Sequence, residues 1–386
     1  EREREREKVC VCVPVHGSDP SMRIGAVMAA DTSQAMTPFS RRWLQLCENG
    51  RNVVAASSPD DAKQMTRAHV RFMTYNVLAQ CYIRSSSMTW CVKSDLRWHN
   101  RKKKLERELI SYGADVVCLQ EADRFGEFYR GVMGRAGFES YTYAQRTSER
   151  KKKEDGCSIF WRSSMFSFVE ERTIELNRLA DESFLQNYPP RMSDPLYFTR
   201  DCVAVAAVLR LKDVDGANTR SDAGVIFATC HLFWNPIHPD VKLIQAWYLL
   251  QELEKLQKEH NMPIVLGGDF NSTPDSAVTG LLTSGQLPMN HPDARDIPQE
   301  VLEHMAAGPH LKFQTAYRGE AATMTNFTGP FTDVLDYIFT GVNIETRALL
   351  ELPRKEDMEK AGIQGFPAAL WPSDHIALVA DLDIVG

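Results

Sequence analysis

Acidic, amide and imidazole residues recur at the ends of apolar runs along this chain of 386 residues. The first such run closes on Thr74-Tyr75-Asn76, the next on Leu119-Gln120-Glu121, and a later one on Thr229-Cys230-His231. Further on come Gly268-Asp269-Phe270-Asn271, Leu335-Asp336-Tyr337 and Ser373-Asp374-His375. Loops at the rim of a rigid sheet are where catalytic groups are commonly carried. Singly, each has an ordinary alternative: Asn76 and Asp269 to Asn271 as turn formers, Glu121 as a helix cap, His231 as a core histidine. Together they are harder to dismiss. Carboxylates gathered at one rim repel by about 4 kcal/mol per pair at about 4 Å and an effective dielectric of about 20. Such a cluster persists if it shares protons or binds a cation. Oxygen donors without cysteine select hard Mg²⁺ or Mn²⁺ over zinc. A hard divalent ion beside two histidines suits attack on a phosphate ester, with the metal neutralising developing charge and a base activating water.

The elements that must position these groups follow from hydrophobic patterning. Apolar runs of β type occupy 70–78, 114–120, 157–161, 202–211, 225–232, 263–270, 334–339 and 376–382. Helical spacing covers 96–112 and 240–259, the latter through Val241, Ile244, Trp247, Tyr248, Leu250 and Leu253. Strands apolar on both faces, with helices between them, predict an α/β sandwich of sheets covered by helices. Long connections at 181–201, 212–224, 285–331 and 352–372 are read as functional or mobile. Val9, Val11, Val13 and Val15 alternate as a short strand would, and the rest of residues 1–67 reads as a largely irregular N-terminal extension. The catalytic domain is assigned to 68–386.

Composition narrows the class. With 45 Lys+Arg against 51 Asp+Glu the net charge is −6, which excludes a chain that grips nucleic acid through global positive charge. Local basic runs must serve instead. One holds Arg97, Arg101, Lys102, Lys103, Lys104 and Arg107; the other holds Arg146, Arg150, Lys151, Lys152 and Lys153. Each is equally well explained as a solvated face. No run approaches the ~18 apolar residues of a membrane span. The nine cysteines form no CxxC pair, so a zinc cluster finds no support and a reducing compartment fits better than secretion.

The ordered set Tyr75-Asn76-Val77-Leu78-Ala79, Leu119-Gln120-Glu121, His231-Leu232, Gly268-Asp269-Phe270-Asn271-Ser272-Thr273-Pro274, Leu335-Asp336-Tyr337-Ile338-Phe339 and Ser373-Asp374-His375 resembles the endonuclease/exonuclease/phosphatase superfamily. Within it the match is to the carbon catabolite repressor 4-type deadenylases, with nocturnin, angel and 2′-phosphodiesterase proteins as relatives. Asp155-Gly156-Cys157-Ser158-Ile159-Phe160 and Phe233-Trp234-Asn235-Pro236, followed by Asp240-Val241-Lys242, resemble further segments of that branch. Asn235 stands where Asp is common, and Phe233 where nocturnin-like chains carry a basic residue.

The resemblance implies a deoxyribonuclease I-like four-layer sandwich, two packed mixed β-sheets flanked by helices. It also implies a Mg²⁺-dependent (or Mn²⁺-dependent) hydrolase, a 3′→5′ exoribonuclease with poly(A) preference that releases 5′-AMP from single-stranded RNA. By the same resemblance Glu121, Asn76 and Asp374 hold metal and Asp269 orients or deprotonates water. Asn271 and His231 face the phosphate, Asp336 fixes the tautomer of His375, and Pro236 and Phe331 sandwich the terminal adenine. The same metal site would also serve a 2′,5′-oligoadenylate or dinucleotide phosphodiesterase. No leucine-rich repeat is seen, so deadenylase-complex partners are not implied. The expected compartment is cytoplasmic or nuclear, or mitochondrial if a longer gene product carries a transit peptide.

Overall fold

The computed structural model describes residues 11–12, 22–26, 37–48, 67–146, 154–213 and 219–385. Eight strands carry or brace the site. They are β1 (Arg67–Asn76), β2 (Val116–Gln120), β3 (Gly156–Trp161), β4 (Val203–Lys212), β5 (Thr219–His231), β6 (Ile264–Asp269), β7 (Asp336–Thr340) and β8 (Leu378–Val385). In the first sheet β1 pairs in parallel with β2 and antiparallel with β8, while β3 lies antiparallel to β2. In the second, β5 pairs in parallel with β6, and β4 and β7 flank that pair antiparallel. Both sheets are therefore mixed.

Alternation along the strands divides the core into three zones. Phe72, Val116, Cys118, Phe227, Val265 and Leu378 meet between the sheets. Their neighbours Met73, Val117, Leu119 and Val379 turn outward, where Leu105 and Leu109 of helix α1 (Trp98–Ser111) cover them. On the far side Ala204, Ile226 and Leu266 meet Trp247, Leu250 and Leu253 of helix α2 (Pro239–His260). Helix, sheet, sheet, helix is the four-layer sandwich the resemblance implies.

Local chemistry explains the helix ends. Pro239 begins α2 with φ already set for a helix, and Asn261 ends it in the left-handed region at φ 51°, its N–H on Gln257 O. Cys118, Cys157, Cys202 and Cys230 are buried free thiols, as their apolar context predicts.

Several expectations need correction. Strands Ser140–Gln145 and Phe166–Glu175 were not apparent in the sequence. Each is the edge of its sheet, and half-buried edges carry polar residues such as Glu170, Glu171 and Arg172 that mask the apolar run. Ile344–Leu350 lies inside its sheet, between Trp43–Glu48 and β8, and was missed because Glu345, Thr346 and Arg347 interrupt its apolar run. The connection expected across 212–224 contains the start of β5. Residues 1–67 are not uniformly irregular either. Trp43–Glu48 pairs with Ile344–Leu350 and with Met22–Ala26, and Pro38 O accepts the Tyr112 hydroxyl at 3.0 Å. Val11–Cys12 is a two-residue strand, whereas Val9, Val13 and Val15 lie outside the described residues. Among the described residues no helix is long and apolar enough to cross a membrane.

Candidate active site

Register assembles the site. Across the second sheet His231, Asp269 and Asp336 occupy one rung, His231 opposite Asp269 and Asp269 opposite Asp336. In the first sheet Asn76 stands opposite Gln120, with Glu121 the next residue in the chain. The two rungs meet. Asn76 Nδ2 donates to Glu121 Oε1 at 3.1 Å and to Asp269 Oδ2 at 2.9 Å, while its Oδ1 accepts Leu78 N–H at 3.0 Å. Gln120 Nε2 spans the same gap, donating to Thr74 Oγ1 at 3.0 Å and Thr229 Oγ1 at 2.8 Å.

So close an approach requires glycine at the end of β6. A Cβ on Gly267 would stand 2.8 Å from the Phe72 ring of the other sheet, while one on Gly268 would stand only 2.4 Å from Cys230 O on the adjacent strand β5 of its own sheet. Around the rim Leu78, Glu121 and Asn271 take left-handed φ values of 54°, 57° and 47°. For a non-glycine residue such backbone costs about 1 kcal/mol or more, and it collects at functional sites.

Glu121, His231, Asp269, Asn271, Asp374 and His375 line one cavity of about 400 Å³. Asp336 and Asn76 stand behind it, buried. Pro236 and Phe331 line a second cavity of about 490 Å³, which shares Trp234, Asn271 and Leu335 with the first. The residues singled out in the sequence thus gather in two adjoining chambers and the layer behind them.

Electrostatics set the two histidines apart. Burial drives His231 down to about 4, assisted by Arg146 and His375 and opposed by Asp269. Its Nε2 lies 3.5 Å from Asp269 Oδ2 and 4.0 Å from Glu121 Oε1. His375 is also buried, which favours loss of its proton, yet the Asp336 and Asp269 carboxylates outweigh burial and hold its pKa well above the usual value. Its Nδ1 meets Asp336 Oδ2 at 2.8 Å and its Nε2 lies 3.7 Å from Asp269 Oδ2. Burial favours the neutral form of one imidazole and the flanking carboxylates favour the charged form of the other, the separation of roles expected of an acid–base pair.

The donor set fits a divalent cation. Burial, with Asp374 and Asp155 adding negative charge, pushes the Glu121 carboxyl up to about 8. A cation beside Glu121 and Asp374 would relieve that repulsion, and an all-oxygen set suits a hard ion. Asp269, Asp336 and His375 also offer ligand atoms within 4.8 Å of one another. The Asp336–His375 hydrogen bond already occupies both facing atoms there, so Glu121 and Asp374 are the better candidates. Asn76 spends its amide on Glu121, Asp269 and Leu78, which makes it a bracket for the ligands.

Other participants were hidden in the sequence. Arg101 is not part of an exposed basic face: it is fully buried. Its guanidinium donates to Val77 O at 2.6 Å, Leu78 O at 2.7 Å, Pro372 O at 2.6 Å and Gln80 Oε1 at 2.9 Å, tying together loops that carry Asn76 and Asp374. Lys104 is also engaged, with Asp95 at 2.8 Å. From the second run, Arg146 lines the catalytic cavity and pairs with buried Asp155 at 3.3 Å; Arg150 to Lys153 lie outside the described residues. Lys242 Nζ donates to Asn271 O at 2.6 Å, fixing that turn. Trp234 is 66% exposed and lines both chambers, while Phe233 is buried.

Known proteins resemble this chain in sequence and fold. The model of the Endonuclease/Exonuclease/phosphatase family matches residues 73–375. "Carbon catabolite repressor protein 4 homolog 4" of Arabidopsis thaliana is 33% identical over 343 residues, 81% of this chain and 77% of that protein. The "CCR4-Not complex 3'-5'-exoribonuclease subunit Ccr4" of Schizosaccharomyces pombe is 29% identical over 86% of this chain, which spans 52% of that relative's length. Among solved structures, ANGEL2, described as a 2′,3′-cyclic phosphatase in complex with adenosine-2′,3′-vanadate, aligns with a TM-score of 0.67 at 25% identity. That alignment covers 82% of this chain and 96% of ANGEL2. The chain belongs to the endonuclease/exonuclease/phosphatase family, as a relative of its carbon catabolite repressor 4 proteins.

Proposed function

We propose that this chain is a divalent-metal-dependent phosphodiesterase that removes nucleotides from the 3′ end of single-stranded RNA, prefers adenylate, and releases 5′-AMP. The observation that carries this reading is the pair of adjoining chambers with Asn271 in their shared wall. A terminal base between Pro236 and Phe331 leaves its 5′ phosphate beside Asn271, where both imidazoles and Asp269 face it. The exoribonuclease named among the relatives supports the same substrate class.

A Mg²⁺ or Mn²⁺ ion held by Glu121 and Asp374 would supply charge neutralisation at the phosphate. The remaining work falls to side chains. Asp269 Oδ2 is the central acceptor, within 3.7 Å of both imidazole Nε2 atoms, and orients or deprotonates the attacking water. Asp336 holds the proton of His375 on Nδ1, so Nε2–H faces the cavity and stabilises the pentavalent state. Neutral His231 presents Nε2 to the same space, and Asn271 Nδ2, braced on Leu232 O at 3.1 Å, borders the phosphate. Stacking between ring and proline holds any base, worth about 1–3 kcal/mol; adenine preference then comes from chamber shape and polar lining.

The deciding experiment incubates 5′-labelled RNA ending in adenylates with Mg²⁺ or with chelator. A ladder shortening from the 3′ end only with metal is expected, and intact RNA under both conditions would overturn the reading. A second reading, hydrolysis of 2′,3′-cyclic phosphate ends, draws on the likeness to ANGEL2. RNA with such an end, and 2′,5′-linked adenylate, belong in the same panel, and the best substrate decides.

A further inference from the structure

Trp90 lines neither chamber, yet it joins the segments that form their walls. Its indole Nε1 donates to Phe366 O at 3.0 Å. The ring occupies a socket made by two glycines from separate segments. A Cβ on Gly329 would stand 2.7 Å from Trp90 Cε3, and one on Gly365 would stand 2.5 Å from Cδ1. Contacts that short leave room for nothing larger than hydrogen while the indole stays in place.

Each segment so joined delivers residues to the site. The loop of Trp90 brings Met88 to the catalytic chamber. Gly329 and Pro330 are the turn between Thr328 and Phe331, which pair in a hairpin of two three-residue strands, Asn326–Thr328 and Phe331–Asp333. That hairpin presents Asn326 to the catalytic chamber and Phe331 to the base chamber. Phe366 stacks on Trp371 at 4.7 Å, shortly before Asp374 and His375. A hairpin of this size is not stable alone, so its position is set by what it packs against. At its base it has Phe327 against Phe366, with ring centres 5.2 Å apart. At its turn it has Trp90.

We infer that Trp90 is a positioning residue that latches the Phe331 hairpin over the base chamber and thereby sets how tightly the terminal base is held. It acts through the turn and touches no substrate. The choice of assay substrate rests on the proposed 3′-end ribonuclease activity.

The test compares wild type with Trp90→Ala, Trp90→Phe and Gly329→Ala, each verified as folded by circular dichroism. Two substrates are used: an oligoadenylate, and methyl 4-nitrophenyl phosphate, a diester with no base. Trp90→Ala and Gly329→Ala are each expected to raise KM for oligoadenylate about tenfold, with kcat held within about threefold, because base holding is lost and the reacting groups are not. Turnover of the base-free diester stays at the wild-type level, and Trp90→Phe recovers most of the lost affinity. Gly329→Ala disturbs the latch from the opposite side, so failure of one variant to fold leaves the other informative. An unchanged KM in a folded variant, or equal losses on both substrates, would overturn the inference. Should wild type cleave the simple diester but not oligoadenylate, the ribonuclease reading fails by itself. The latch is then judged by amide exchange of the 326–333 hairpin, where faster exchange in Trp90→Ala supports it and unchanged exchange refutes it.

Discussion

Asn76 and Asp269 lie 193 residues apart on different sheets, and the amide of the first donates to the carboxylate of the second at 2.9 Å. The same nitrogen holds Glu121, so one buried side chain spaces the carboxylate proposed to hold metal from the one proposed to orient water. Much of the site's chemistry depends on that spacing.

Glu121→Ala is expected to lower turnover by about three orders of magnitude, since the charge stabilisation lost with a metal ligand is several kcal/mol. In wild type, Mg²⁺ is expected to raise the melting temperature by binding the folded state. That rise should vanish in the variant while circular dichroism stays native. A full Mg²⁺-induced rise in Glu121→Ala would mean the cation sits elsewhere.

Asp336→Asn keeps a hydrogen-bonding group beside His375 Nδ1 but no longer demands a proton there. A fall in kcat of about 10²–10⁴, the usual contribution of a placed acid–base group, is expected with KM nearly unchanged. A loss expressed mainly in KM would assign Asp336 to substrate binding.

Phe331→Ala removes one face of the base chamber, where the ring is 41% exposed. Stacking worth about 1–3 kcal/mol corresponds to a KM increase of roughly 5- to 150-fold on oligoadenylate. Steady-state kinetics on poly(A) and poly(U) read this directly, and an unaltered KM on both would remove Phe331 from the base site.

Glu108, on the buried face of α1, accepts the Tyr75 and Tyr112 hydroxyls, each at 3.0 Å. Burial pushes its carboxyl from 4.5 up to about 7, against the pull of Arg41. The folded state therefore binds the proton more tightly than the unfolded chain. Its stabilising contribution is complete below about 4.5 and is lost as pH rises toward about 7. Glu108→Gln should remove this loss, leaving the variant more stable than wild type at pH about 8 by on the order of 3 kcal/mol relative to their difference at pH about 4. Urea denaturation at both pH values measures it, and a pH-independent difference would show that Glu108 does not titrate in this range.

Arg101→Met strips the donors from Val77 O, Leu78 O and Pro372 O. Leaving such groups buried and unpaired costs about 1–3 kcal/mol each. A large fall in melting temperature is expected, accompanied by loss of activity in the remaining folded protein. A variant as stable as wild type would show that water replaces the guanidinium.

The candidate groups were legible because they sit at or beside the ends of apolar strands: Asn76, His231 and Asp269 close theirs, Glu121 follows one, Asp336 opens one and His375 precedes one. The sheets themselves were legible where strands are buried on both faces, as in β2, and obscure where they form edges, as in Phe166–Glu175. Arg101 illustrates the remainder. In the chain it is one of six basic residues within eleven positions, and nothing local separates it from Lys103. Its burial is created by a carbonyl 271 residues away. Trp90 is similar, since its importance lies in two glycines that meet it only after folding.

Because Asn76 and Gln120 stitch one half of the sandwich to the other, neither half owns a working centre. A damaged molecule whose second sheet has loosened would hold Glu121 without its counterpart Asp269. Under the proposed function such a molecule would be inactive, so hydrolysis would be restricted to copies whose two halves have both closed.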